Sequence, residues 1–311
     1  LDMEFIQLSN KVAWDAQVKV IQNGITDAII DAAFLNFPVE VRDQSFDDLK
    51  RKLKARRGNL QAISDRYYAL VNKYAVIKGT NKDDYFTIQC LSNGEVKITA
   101  QRIQKGEKGE VFLERTYTKS ETKEIWIYGL DDGDVFETKG KNNKIKIRLI
   151  GGQNNDKYII PEGGKIVIYD YKSKKNDISQ VKKTRIRLND RYDMNVYDYK
   201  KLKNNVNAII PVIGSNPDDG FKIGVTNINT DYGFERNPFT AKHIISASYY
   251  FATQGYDLFY TGEFANVVGD LNFSIDAQFN SPNYAINFFG YGNSTPNPEA
   301  DDGDGFDANL D

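Results

Sequence analysis

The chain has 311 residues, room for two or three domains, with 41 Lys and Arg against 43 Asp and Glu and a net charge of −2. That balance excludes a global nucleic-acid or polybasic membrane signal. One Cys (Cys90) and one His (His243) exclude an internal disulfide framework and a thiolate zinc site, and leave little material for a histidine-rich metal centre or a Ser-His-Asp relay.

The 19 Tyr, 18 Phe and 24 Gly suit strands and turns better than a helical bundle. No run of about 18 apolar residues exists, so no transmembrane helix is expected. Barrel strands escape that test because each is only half apolar. The chain opens at Leu1 without a signal peptide and stops as a further strand begins, so both ends read as cut from a longer polypeptide.

Residues 1 to about 75 are expected to be helical, in a short bundle. Thr26 is a candidate N-cap for TDAIIDAAFLNF, which Pro38 ends. Ser45 starts FDDLKRKLKARRG, acidic first and basic last as a helix dipole favours, with Gly58 as its stop. Asn59–Tyr74 gives a last helix with Leu60, Ile63, Tyr67, Leu70 and Tyr74 on its apolar face. The run KRKLKARR is either a phosphate-binding patch or, more commonly for such runs, a solvated helix face.

Residues 76–185 change to β. Phe86, Ile88 and Cys90 alternate with polar positions, Asn93-Gly94 makes a hairpin turn, and a second hairpin passes through Lys105 to Gly109. A repeat then appears. Gly79 is followed by Asp84 and Phe86; Gly129, Asp134 and Phe136 keep the same frame, as do Gly151, Asp156 and Tyr158. Ile166–Tyr169 with Asp177 is a degenerate further copy. An apolar strand, a glycine corner, an Asp turn and an aromatic plug make one rung of a β-roll or β-solenoid. GGQNNDKY at Gly151 fits the calcium-roll pattern except that Asn154 replaces its third glycine. Two readings follow: Asp134 and Asp156 hold Ca²⁺ with turn carbonyls, or each Asp only caps backbone N–H groups in its corner.

Residues 186–205 are polar, Tyr-rich and aperiodic, and read as a linker. From Val206 alternating strands begin. Phe221, Ile223 and Val225 mark the first clear alternation, followed by Ile245–Phe251, Tyr256–Phe264, Leu271–Asn280 and Tyr284–Tyr291. In Leu271–Asn280 the alternation is strict: Leu271, Phe273, Ile275, Ala277 and Phe279 on one side, Asn272, Ser274, Asp276, Gln278 and Asn280 on the other. A transmembrane barrel strand has that pattern, and so does a soluble antiparallel sheet with one wet face. Phe288, Phe289 and Tyr291 would supply part of an aromatic girdle. The acidic tail with Asp301, Asp302, Asp304 and Asp307 lacks the glycine and glutamate positions of an EF-hand and reads as a solvated loop.

The segments SNPDDGFKIG, SPNYAINFFGYGN, LKARRGNL and the pair IWIYGLDDGDVFE and IRLIGGQNNDKY together resemble large outer-membrane proteins of Bacteroidetes-type bacteria. These carry a C-terminal BamA/TamA-like (bacterial surface antigen) barrel, often behind a calcineurin-like metallophosphoesterase. The resemblance spans nearly the whole chain. It implies a mainly β protein: a helical region (1–75), a β-roll or solenoid-like domain (76–185), a linker (186–205), and the N-terminal strands of an antiparallel transmembrane β-barrel (206–311). It also implies a bacterial outer-membrane location with residues 1–205 periplasmic, and lipid and other outer-membrane assembly proteins as partners. Asn229–Thr240 and Gly292–Gly305 would then be extracellular, with Gln254-Gly255 and Ser281–Asn283 as periplasmic turns. The family barrel holds more strands than this chain supplies, and open edges in lipid leave backbone groups unpaired, so the barrel is expected to be truncated here. No DxH, GNHD or GHxH motif of the phosphoesterase occurs, so no catalytic residue carries over.

The function expected is non-enzymatic: a role in outer-membrane assembly, transport or surface anchoring, with no cofactor beyond possible calcium. One alternative is a soluble β-rich calcium- or carbohydrate-binding module, with Trp126, Tyr169 and Tyr171 as a sugar platform. Another is an accessory part of a phosphoesterase-containing protein. A hydrolase would have to draw on Asp131, Asp132 and Asp134, which Asp-Gly turns explain more simply.

Overall fold

A computed structural model of the chain describes residues 6, 9–140, 144–216 and 219–282. The protein is mainly β, with helices at its N-terminal end and several sheets. It divides into two compact units, Leu1–Tyr199 and Lys200–Asp311.

The first unit opens with helices α1 (Lys11–Gly24), α2 (Asp27–Leu35), α3 (Gln44–Gly58) and α4 (Leu60–Asn72). Thr26 caps α2, its hydroxyl accepting the Ile29 N–H. Asp43, not Ser45, caps α3: its carboxylate accepts the N–H groups of Ser45 and Phe46. In α4 the buried residues are Tyr68, Val71 and Asn72, while Ile63, Tyr67 and Leu70 stay exposed. The expected apolar face is therefore turned away from the interior. Tyr74 leaves the helix and begins a strand.

The chain then lays down β1 (Tyr74–Lys78), β2 (Asp84–Cys90), β3 (Val96–Gln104), β4 (Glu107–Tyr117), β5 (Glu124–Leu130), β6 (Val135–Lys139), β7 (Lys146–Gly152), β8 (Lys157–Ile160), β9 (Ile166–Asp170), β10 (Asp177–Val181) and β11 (Arg185–Leu188). One sheet has the order β1-β5-β7-β9-β11 and is parallel throughout. The other runs β10-β8-β6-β2 in parallel, then adds β3 and β4 antiparallel. Apart from the β2–β4 hairpins, successive strands alternate between the two sheets. Ile77, Ile127 and Leu149 of one sheet and Phe86, Phe136 and Tyr158 of the other share one core. These strands are buried on their inner face by a second sheet, which is why their apolar residues cluster instead of decorating an exposed surface.

Most of β11 and all of helix α5 (Tyr192–Asn195) fall inside the stretch expected to be a linker. Ile186 packs on the core, and Met194 and Asn195 are buried. Four residues of alternation and a single helical turn are too short to register as periodicity.

The second unit is an antiparallel sheet of β12 (Val206–Asn216), β13 (Gly220–Asp231), β14 (Ala241–Tyr250), β15 (Tyr256–Val268) and β16 (Leu271–Asn280), in that order. Among the described residues β12 and β16 are its edges. β12 pairs with β13 over its full length, Val206 opposite Thr230 and Asn216 opposite Gly220. It is a strand of the sheet in its own right, so the connections after β13 and after β15 lie at the Val206 end, and the Phe251–Gly255 turn lies at the other. The strand expected at Tyr284–Tyr291, the ring residues Phe288, Phe289 and Tyr291, and the acidic tail lie outside the described residues.

Candidate functional site

The predicted repeat builds one line of corners. Gly79, Gly129 and Gly151 each sit where an apolar strand of the first sheet turns toward the second. A Cβ at Gly79 would stand 2.5 Å from the Gly129 carbonyl oxygen and 2.9 Å from Asp84 Oδ2. At Gly129 it would overlap Asp134 Oδ2 and the Gly151 carbonyl oxygen, and at Gly151 it would overlap Asp156 Oδ2. Only glycine lets the corner backbone approach the carboxylates this closely.

The aspartates form a ladder. Asp134 Oδ1 accepts the Asp84 N–H at 2.8 Å, Asp156 Oδ1 accepts the Asp134 N–H at 2.8 Å, and Asn176 Oδ1 accepts the Asp156 N–H at 2.9 Å. The fourth position thus belongs to Asn176, not to Asp177, which pairs in register with Lys157. Two residues beyond each ladder position lies the plug. Phe86 stacks on Phe136 at 5.0 Å and Phe136 on Tyr158 at 5.1 Å, with planes 11° and 7° apart.

Each carboxyl has its own surroundings. Asp84 lies 3.3 Å from Arg102 Nε, and its Oδ2 accepts the Thr80 N–H. Burial still lifts its pKa, against those partners. Burial, then the neighbouring Asp156 charge, pushes Asp134 up to about 9. Burial, then Asp170, pushes Asp156 up to about 8. Asp170 accepts hydrogen bonds from the Tyr158 hydroxyl at 2.6 Å and the Tyr171 N–H at 2.7 Å, and burial outweighs them to place it at about 6.

Asp134 and Asp156 do not fit calcium. The ion takes six to eight oxygens. Here Oδ1 is taken by a backbone N–H, and Oδ2 is buried against a glycine with no room for a ligand shell. Among the described residues no three or more His, Cys, Asp or Glu side chains gather to hold a metal ion. The arrangement is that of capped corners.

The other candidates are dispersed. Asp131 accepts from the Asp132 N–H and the Asn154 side-chain amide, Asp132 lies 3.6 Å from Lys82, and Asp134 is buried, so these three do not form a carboxylate pair facing one cleft. Trp126 and Tyr169 are buried and offer no sugar platform. Five of the six cations of KRKLKARR meet acids: Lys50 and Lys54 pair with Asp31, Arg51 and Lys52 with Asp48, and Arg57 with Asp27. Cys90 is buried, and burial raises its thiol pKa, so it is not a poised nucleophile. Ile63 and Tyr67, which periodicity alone assigns to the interior, line an apolar groove of about 530 Å³ with Trp14, Val18 and Ile21 of α1.

In the second unit the register sorts every strand into two faces. Across one row Ile223 stands opposite Ile213 and Tyr249, and Tyr249 opposite Tyr256; across the next, Val225 follows Pro211, then Ala247, Leu258 and Phe279. This face remains in the open: Ile213 is 71% exposed and Phe279 58%. The opposite face carries a Thr226–Ser246 hydrogen bond of 2.7 Å, a Thr261–Asp276 bond of 2.6 Å and a Lys242–Glu263 ion pair of 3.5 Å. Hairpin signals make the alternation of β13 to β16 legible in the sequence. β12 is hidden there because Ile209, Ile210, Val212 and Ile213 form a continuous apolar run around Pro211.

No helix among the described residues is long and apolar enough to cross a membrane. No protein-family model, curated protein or solved structure matches the chain.

Proposed function

We propose that the second unit supplies the first strands of a transmembrane β-barrel of the BamA/TamA-like type in a bacterial outer membrane. The first unit would be its periplasmic domain, its parallel two-sheet part a β-roll or solenoid. The role is non-enzymatic, in outer-membrane assembly, transport or surface anchoring, with lipid and other assembly proteins as partners. The observation that carries this reading is the apolar face, unbroken across neighbouring strands, left open and backed by a hydrogen-bonded polar face. Exposed apolar areas of this extent mark membrane or protein contact, not a free soluble surface. The strands have 10 to 13 residues, and about 9–11 cross a bilayer at a tilt.

Nitroxide labels on Ile245→Cys, Leu258→Cys and Ser246→Cys in membrane-embedded protein test the reading. The first two should be relaxed by dissolved oxygen and shielded from a water-soluble nickel chelate, and the third should show the reverse. Nickel access at all three sites would place the apolar face in water and end the barrel reading.

A further inference from the structure

The corner ladder contains a chemical comparison within itself. Asp84, Asp134, Asp156 and Asn176 each stand five residues after a corner residue: Gly79, Gly129, Gly151 and Tyr171. The last three each accept, through Oδ1, the N–H of the residue above. At Asn176 the second side-chain atom is an amide nitrogen, and it donates to the carbonyl of Tyr171, five residues back, at 3.2 Å. At Asp134 and Asp156 the matching atom is Oδ2, buried with no hydrogen-bond partner. It lies over the glycine five residues back, and beside Gly129 it shares the corner with the Gly151 carbonyl oxygen. An ionised carboxylate brings only acceptors to such a corner. Carbonyl and carboxylate oxygens facing each other in a dry interior repel, whereas a hydroxyl turns the same contact into a hydrogen bond.

We propose that Asp134 and Asp156 are held as neutral acids, Asp134 turning its Oδ2–H toward the Gly151 carbonyl as Asn176 turns its amide toward Tyr171, and Asp156 turning its Oδ2–H toward the Asp170 Oδ2 that shares the Gly151 corner. The ladder is then a pair of proton-holding corners where the sequence pattern points to calcium. The carboxyls on either side of this pair behave differently because they have donors. Asp84 faces Arg102 and the Thr80 N–H, with Asp83 nearby. Asp170 receives the Tyr158 hydroxyl and the Tyr171 N–H. Between them Asp134 faces the charges of Asp156, Asp84 and Asp83, and Asp156 faces that of Asp170, with no cation among these neighbours. Burial and these like charges both favour the protonated form, the arrangement by which proteins keep a carboxylic acid neutral as a donor.

The test uses the full chain with Asp134→Asn and Asp156→Asn, singly and together, and Asp134→Ala for contrast. Trp126, buried in β5, reports unfolding of this unit in urea at pH 7. The Asn variants should unfold at a urea concentration no lower than the parent, and the Ala variant at a clearly lower one. Infrared spectra of the parent at pH 7 should contain the carbonyl stretch of a protonated carboxyl, missing from the double Asn variant. Millimolar calcium should leave the parent midpoint in place. Asn variants as weak as the Ala variant, a parent without the protonated-carboxyl band, or a calcium shift lost in the double Asn variant would each overturn the assignment. Asn variants that fail to fold count against it as well, and the infrared band of the parent tests it without any substitution.

Discussion

Three polar oxygens converge where a side chain on Gly151 would begin: Asp156 Oδ2, Asp170 Oδ2 and the Tyr158 hydroxyl. None is the loose end of a flexible chain, because the Tyr158–Asp170 hydrogen bond and the ring stack hold them. Gly151→Ala should therefore cost about 3 kcal/mol, the upper part of the range for overpacking. Gly106→Ala, at a hairpin turn with φ of +82° and open space around it, should cost only the left-handed backbone penalty of about 1 kcal/mol. Urea midpoints followed by Trp126 separate the two. The buried carboxyls also set a pH dependence. Asp134, Asp156 and Asp170 have folded pKa values raised to about 9, 8 and 6, while unfolded aspartates ionise near 3.9. Between those limits the unfolded chain releases protons that the folded one keeps, so stability falls as pH rises. Midpoints should decrease from pH 5 through 7 to 9, and a rise over that range would contradict it. Surface aspartates with lowered pKa, such as Asp31 beside Lys54, act in a different window, losing their contribution only as pH drops below about 4.

At the scale of elements, legibility in the sequence follows from how tightly backbone geometry constrains the residue. The Gly, Asp and aromatic spacing is readable because the corner admits only glycine, the N–H groups need a short acceptor, and the plug must stack. The fourth corner lies one residue before its expected place because Asn176 does the work of Asp and Ile178 occupies the plug position, removing both markers. Thr26 is recognisable as a cap, since its hydroxyl precedes an apolar run. The face of α4 is not. Tyr68 and Val71 make the interior contacts, while an equally regular stripe through Ile63, Tyr67 and Leu70 borders a groove, and periodicity cannot say which of two stripes is covered. β12 lacks alternation altogether, and only its pairing with β13 identifies it.

Placing β12 as the first strand changes the orientation of everything after it. With the first unit on the periplasmic side, as proposed, β12 runs outward, so the β13–β14 and β15–β16 connections lie toward the periplasm and Phe251–Gly255 toward the outside. This reverses the assignment that follows from counting strands from Phe221. Cysteines at Ala252 and Asp270, both exposed, decide it. In intact cells a membrane-impermeant maleimide should label Ala252→Cys, and Asp270→Cys only after the outer membrane is opened; the opposite pattern would restore the former orientation. The first unit adds one more property of the whole molecule. Parallel rungs stacked in register would accept a neighbouring copy at an open end, as fibrils do. On one side β3 and β4 run against that direction, with register shifts between them and Glu107, Lys108, Glu110, Glu114 and Arg115 along the outermost strand. Incoming backbone at that edge meets charge and a strand of reversed direction, which disfavours continuing the parallel stack there.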